Sequence, residues 1–199
     1  MKEATRQRII EEAIVCISKD TNAGLDEIAE AAGVGRATLY RNFKSRSGLL
    51  TELKLSAGFR LQEAAGPVFK SQAQAREKLA RYISLMVPLG ASLNVSAYFG
   101  KPFREKDEDP RVVAKFEHHI SQVRQLCLDL VKQGAISENT PVVWLVTVLT
   151  SLVFAAWEKV ESGDIAPKQA PWMVLETFLG GHGTPETLTW FHELKDKNQ

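Results

Sequence analysis

At 199 residues, 44% of them hydrophobic, the chain is long enough to enclose one or two cores without disulfide or metal staples, and its composition is not that of a disordered segment. A formal net charge of +1 excludes nucleic-acid binding driven by overall charge, so any such function has to rest on a local cluster. The two cysteines, Cys16 and Cys127, stand far apart inside apolar helical patterns and read as small core hydrophobes in a reducing cytoplasm. A thiol-reactive sensor is the alternative, with no basic neighbourhood to support it.

The N-terminal stretch MKEATRQRIIEEAIV carries acids early and lacks an apolar run with a small-residue cleavage site, so no signal peptide is expected. Residues 6–19 place Ile9, Ile10, Ala13, Ile14 and Ile17 on one side of an amphipathic helix. A second helix is expected over 25–32, with Asp26 and Glu27 in its first turn and Gly33 as its stop. A third starts around 35–37 and ends near Phe43, with Leu39 and Phe43 inward. A fourth runs from about Ser47 to Ala65 with Leu50, Leu53, Ala57 and Leu61 as its stripe, closed by Gly66-Pro67.

Further helices are expected over 73–93 with a bend at Pro88, near 95–100, and over 110–133, 141–162, 168–180 and 185–196. Loops are expected at 101–109, 134–140, 163–167 and 180–184, and no strand pattern or repeat is present. Pro141 to Trp157 holds no charge, close to the length of a membrane span. Its nearest flanking charges are the acids Glu138 and Glu158, and a helix buried on all sides is the preferred reading.

Ala29, Gly33 and Leu39 have the spacing of a helix-turn-helix: a small residue where two helices approach, a glycine at the left-handed turn, an apolar residue where the second helix packs back. The second helix reads GRATLYRNFKSR. From Ala31 to Thr51 there is no acid, while Arg36, Arg41, Lys44 and Arg46 supply four cations. Arg36, Ala37, Thr38, Tyr40, Arg41, Asn42 and Lys44 project outward and are of types that meet phosphates and base edges. A solvated basic face is the plainer reading of such a run, but its coupling to the turn spacing favours a DNA reader. Tyr40 is assigned to the site and Phe43 to the core.

The segment AGVGRATLYRNFKSRSGLL resembles the recognition region of the TetR family of bacterial transcriptional regulators, and the similarity reaches back through LDEIAEAAG. More loosely, WEKVESGDI and LETFLGG are similar to the last two core helices of that family. The resemblance implies that Thr38 and Tyr40 contact phosphate or thymine methyl groups, that Arg41 and Asn42 read bases or backbone, and that Arg46 replaces a lysine that clamps a phosphate. Two positions depart from the pattern. Gly24 stands where relatives have a hydroxyl cap, and Asp26 stands where many have a basic contact, which lowers the expected share of helix two in DNA binding.

The expected architecture is all-α: an N-terminal three-helix helix-turn-helix DNA-binding domain over 1–48, then a larger helical-bundle ligand-binding and dimerisation domain over 49–199. The helix over 141–162, apolar all round, needs cover on both sides, which a second copy provides. Leu152, Ala156, Val174 and Phe178, on helices 141–162 and 168–180, are the candidate dimer residues. A two-fold dimer implies a near-palindromic operator in double-stranded DNA, with half-sites roughly 34–36 Å apart or somewhat more. The resemblance further implies a small-molecule effector, with Met86, Phe99, Phe103, Phe116, His119, Trp144 and Phe154 as candidate lining that would suit an apolar or aromatic molecule; plain core packing is the more ordinary reading of each taken singly.

His118 and His119 are adjacent and point to different sides, so no metal site is expected, and no cofactor or membrane partner either. No catalytic motif is present, so an enzyme is not expected; a helical adaptor whose turn is only a packing motif is the remaining alternative class. The expected function is that of a cytoplasmic repressor released from its operator by an effector.

Overall fold

The structure, a computed structural model, describes residues 2–20, 22–92 and 109–198. The helix expected near 95–100 and loop residues 101–108 lie outside the described residues. The chain divides into two compact units, Met1–Gln62 with Ala91–Glu117, and Glu63–Gly90 with His118–Gln199. Among the described residues every regular element is helical, apart from one isolated bridge between Ile136 and Gly183.

The first unit contains α1 (Lys2–Lys19), α2 (Leu25–Ala31), α3 (Arg36–Asn42) and the start of α4 (Arg46–Lys70). The isoleucines at 9, 10, 14 and 17 all face inward, where they meet Ile28, Ala29, Leu39, Phe43, Leu49 and Leu53. Burial of each large aliphatic side chain stabilises by about 1.5–3 kcal/mol, which is what holds two seven-residue helices that would be unstable alone. On α4 the buried row is Leu49, Leu53, Ala57 and Leu61, every fourth residue; Leu50, expected in that row, is only half-buried.

Gly66-Pro67 does not close α4, contrary to expectation, and the helix runs through Pro67 to Lys70. Loss of one backbone donor at Pro67 is offset by what the extra turn gains in the second unit: Val68 is buried and Phe69 packs at a tilt against Tyr82 with ring centroids 5.5 Å apart.

That unit continues with α5 (Ala75–Met86), a single 3-10 turn (Val87–Leu89) carrying Pro88, the part of α6 (Pro110–Lys132) that follows Glu117, α7 (Val142–Glu161), α8 (Ala170–His182) and α9 (Pro185–Asp196). The bend expected at Pro88 takes the form of that tighter turn, and helical backbone resumes at Gly90. Gly90 is needed there, because a Cβ would sit 1.8 Å from Trp157 Cγ. The loop expected at 180–184 is shorter: α8 passes through Gly180 and Gly181 and ends at Gly183, whose N–H donates to Leu179 O. Backbone bonds from Ser137 to His182 O and from Thr184 to Ala135 O tie this corner to the loop after α6.

α7 differs most from expectation. Leu145, Leu149, Val153, Ala156 and Trp157 are buried against its own unit, but the opposite side is bare, with Val143 62% and Trp144 54% exposed beside Thr147, Ser151 and Ala155. Sequence periodicity could not separate these sides because neither carries a charge before Glu158 and the bare one is polar only at Thr147 and Ser151. Among the described residues this is the one helix long and apolar enough to cross a membrane; it packs on α8 and on the Val87–Leu89 turn.

Candidate nucleic-acid interface

The turn between α2 and α3 follows from one glycine. Gly33 has φ 59°, the left-handed region that side chains resist, and around it Gly33 N–H donates to Glu30 O and Val34 N–H to Ala29 O, both at 2.9 Å. These two bonds satisfy the last carbonyls of α2 and reverse the chain. α3 then begins at Arg36 with Gly35 as its cap, and Leu39, fully buried, fixes its rotation.

That rotation leaves Arg36, Ala37, Tyr40, Arg41 and Lys44 exposed and Thr38, Asn42 and Arg46 half-exposed. Tyr40 is 42% exposed while Phe43 is 3% exposed, the division expected from their helical positions. The surface is partly pre-ordered by its own contacts. Arg41 Nη2 donates to Thr38 Oγ1 at 3.0 Å, and Asn42 Nδ2 to Thr38 O at 2.7 Å. Arg36 Nε pairs with Asp26 Oδ1 at 2.8 Å, and its guanidinium lies 5.9 Å from the Tyr40 ring centroid. Arg46 Nη1 donates to Ala23 O at 2.6 Å, tying the start of α4 to the residue before the α2 cap. Arg6, beneath this surface, lies over the Phe43 ring and pairs with Glu52. Chemically, the site is a short helix presenting cations, amides and hydroxyls with one carboxylate at its margin, suited to phosphates and to base edges in a major groove.

The residues expected to line a ligand site fall in different places. Met86 and His119 are buried in the second unit, Phe154 is half-buried with its ring tilted against Trp157 at 5.5 Å between centroids, and Trp144 is exposed. Phe116 is buried and belongs to the first unit. Phe99 and Phe103 lie outside the described residues. A surface cleft of about 420 Å³ in the second unit is lined by Gln72, Arg76, Gln133 and Glu186 among others, and by none of those candidates. Sequence reasoning missed Tyr82, which pairs with His119 in the interior of the second unit, and Gln122, one turn along α6 from His119, whose Oε1 is buried; their only signal was a polar residue at a core-facing helical position. Burial pushes His119 down to about 4, so it is neutral, and pushes the Cys127 thiol up to about 12.

Of the four candidate dimer residues, Ala156, Val174 and Phe178 are enclosed by their own unit, and Leu152 alone is half-buried at the surface. No cluster of three or more metal-ligating side chains occurs among the described residues.

Residues 9–53 match the family model described as bacterial regulatory proteins, tetR family. The HTH-type transcriptional repressor LfrR of Mycolicibacterium smegmatis (strain ATCC 700084 / mc(2)155) is 40% identical over 52 residues, 26% of this chain and 28% of that protein. The matched stretch therefore spans little more than a quarter of that relative. Among solved structures, the TetR-like regulator LfrR from Mycobacterium smegmatis in complex with proflavine aligns with a TM-score of 0.73 at 23% identity, covering 92% of this chain and 98% of that one. A gamma-butyrolactone receptor, an ArpA-like protein, aligns with a TM-score of 0.72 at 19% identity, covering 99% and 97%. A TetR-family regulator from Rhodococcus sp. aligns at 0.66 and 18% identity over 88% and 97%. Below 25% identity these are likenesses of fold.

Proposed function

We propose that this chain is a transcriptional regulator of the TetR family and a cytoplasmic homodimeric repressor that leaves a near-palindromic operator when a small molecule binds; the family match over residues 9–53 and the likeness of fold support the reading. The observation that carries the reading is α3: an acid-free helix, rotated by buried Leu39 so that Arg36, Thr38, Tyr40, Arg41 and Asn42 stand clear of their own core. In a major groove Arg41 and Asn42 read base edges, Tyr40 and Thr38 meet the phosphate and thymine methyl groups, and Lys44 and Arg46 hold the backbone. The DNA-binding head is assigned to 1–48 and the regulatory part to 49–199, so the functional division falls within α4.

One copy offers one recognition helix, and a palindrome needs two. The bare side of α7 supplies the contact, with Trp144 near its centre, Val143 and Leu152 at its two edges, and Ser151 and Ala155 allowing close approach. Effector binding shifts the population toward a dimer whose two heads no longer match successive grooves, so the effector must bind the two states with different affinity. The proflavine complex of LfrR supports an aromatic effector here.

The test is selection of bound fragments from random duplex DNA, followed by titration of the selected operator with the wild type and with Arg41→Ala and Tyr40→Ala. Each variant should lose about tenfold or more at fixed salt, in keeping with about 1–3 kcal/mol per base-reading contact. Unchanged affinity in both refutes the assignment of α3.

A further inference from the structure

The second unit holds a polar cluster that DNA contact does not use. Tyr82 is 1% exposed and His119 4% exposed, and Tyr82 Oη lies 3.1 Å from His119 Nε2. Phe69 completes an aromatic corner, its ring centroid 5.5 Å from that of Tyr82 and 6.3 Å from that of His119. Two atoms on this stretch of α6 are left over: His119 Nδ1, in the corner, and Gln122 Oε1, one turn along, are sealed from solvent and have no hydrogen-bond partner among the described residues. Such atoms cost about 1–3 kcal/mol each when left unmet, and native interiors carry few of them.

The chemistry of the vacant partners can be worked out. A neutral imidazole carries one N–H. If Tyr82 donates to Nε2, that hydrogen sits on Nδ1 and is the imidazole's sole unmet group. The opposite assignment strands both the tyrosine hydrogen and the Nδ1 lone pair. The first arrangement is lower in energy and presents a donor at Nδ1. Gln122, three residues along α6, is on the same side of the helix with its Cβ about 5–6 Å from that of His119, and presents an acceptor. The side chains shown at this corner, Phe69, Tyr82 and the thiol of Cys127, are uncharged, and the ammonium of Lys78 is taken up by Phe69 O at 3.3 Å, so a carboxylate or ammonium brought here would lose its hydration against apolar and neutral groups.

We propose that Tyr82, His119 and Gln122 form the polar anchor of the effector site, taking an uncharged aromatic molecule whose edge carries an acceptor beside a donor, as a primary carboxamide does. This rests on the reading of the chain as an effector-controlled regulator. The acceptor meets His119 Nδ1–H, the donor meets Gln122 Oε1, and Phe69 packs against the ring. Tyr82 acts as a positioning residue that holds the imidazole in one tautomer.

The experiment uses the full chain labelled with ¹⁵N-histidine and four probes of similar size: benzamide, benzoate, benzylamine and toluene. Benzamide should bind saturably and about tenfold more tightly than toluene, the effect of one well-made hydrogen bond, and should move the His119 Nδ1 resonance. Benzoate and benzylamine should rank below benzamide. Gln122→Leu and His119→Phe should each erase the preference for benzamide over toluene. Tyr82→Phe keeps the packing and serves if the other two fail to fold; it should move the histidine ¹⁵N pattern away from the Nδ1–H tautomer and weaken benzamide alone. Equal binding of benzamide and toluene, a charged probe ranking first, no saturable binding, or an unmoved Nδ1 resonance overturns the proposal. Operator binding by the unliganded protein is measured alongside. Its loss defeats the regulator reading, whereas intact operator binding with no carboxamide preference defeats only the anchor.

Discussion

Asp26 and Arg36 are joined across the helix-turn-helix, Oδ1 to Nε at 2.8 Å, so the first residue of α3 is tethered to the first turn of α2. Both side chains are largely exposed, and an ion pair in such a setting adds little to stability. Its consequence is for DNA: the pair holds Arg36 in one direction and leaves a carboxylate where phosphates would approach. Asp26→Asn should change the unfolding free energy by less than about 0.5 kcal/mol. It should tighten operator binding about fivefold near ~0.1 M salt and steepen the salt dependence by about one phosphate contact. Fluorescence anisotropy across a salt series reads both. Weaker binding confined to one base pair of the operator would instead make Asp26 a direct reader of that pair.

How far the sequence was legible can be judged from particular residues. The head was legible in detail because its signals are local: the isoleucine row of α1, the left-handed glycine at 33 and the inward Leu39 each follow from spacing over fewer than a dozen residues. Pro67 was misread because local rules end a helix at proline, whereas the packing of Val68 and Phe69 carries it another turn. On α7 the uncharged run from Val142 to Trp157, broken only by Thr147, Thr150 and Ser151, leaves apolar residues on both sides and hides which one faces the core, so Ala156 reads as a partner contact although its own unit encloses it. The Tyr82–His119 pair was hidden for a different reason. The two residues are 37 apart, and no local pattern announces a hydrogen bond formed by packing.

Gly90 lies directly against the side chain of Trp157. A Cβ on residue 90 would lie 1.8 Å from Trp157 Cγ and 2.2 Å from Trp157 Cβ, the latter an atom that a rotamer change cannot move away. Trp157 is itself 7% exposed and has no solvent to retreat into. Gly90→Ala should therefore cost about 3 kcal/mol, the upper end for overpacking. Gly180→Ala, at an exposed helical position with nothing within 4 Å of the added carbon, should stabilise by about 0.5–1 kcal/mol. Urea denaturation of the two variants separates a true contact from a general cost of replacing glycine in a helix.

The bare side of α7 gives the dimer its test. Val143 and Trp144 take no part in the core of their own unit, so Val143→Glu and Trp144→Glu should leave the fold of a single copy within about 0.5 kcal/mol of wild type. In a two-fold interface each substitution appears twice and buries two carboxylates against apolar surface. Sedimentation should show the mass falling to that of one chain, 22.1 kDa, and the melting temperature should lose its dependence on protein concentration. Operator affinity should fall about a hundredfold or more, because each head then binds its half-site alone. Unchanged mass with both substitutions would place the interface elsewhere.

His119 makes stability depend on pH in a defined window. Burial, with a smaller contribution from His118, lowers it from an ordinary 6.5 to about 4, while Tyr82, Phe69 and Cys127 around it stay neutral. Between these values the unfolded chain binds a proton that the folded chain refuses, so acid favours unfolding. The folded state keeps its full advantage above pH 6.5, loses it as pH falls toward 4, and loses no more from this group below that. The slope within the window is about 1.4 kcal/mol per pH unit for one proton. His119→Phe should lower stability at pH 7 through the lost bond to Tyr82, yet flatten the dependence between pH 6.5 and 4. Asp109, held at about 2 by Arg111, acts in a separate range: its contribution is present above the ordinary carboxylate value and fades only as pH falls toward 2. Urea unfolding at half-unit pH intervals distinguishes the two, and a slope between pH 6.5 and 4 that survives in His119→Phe would show that another group carries it.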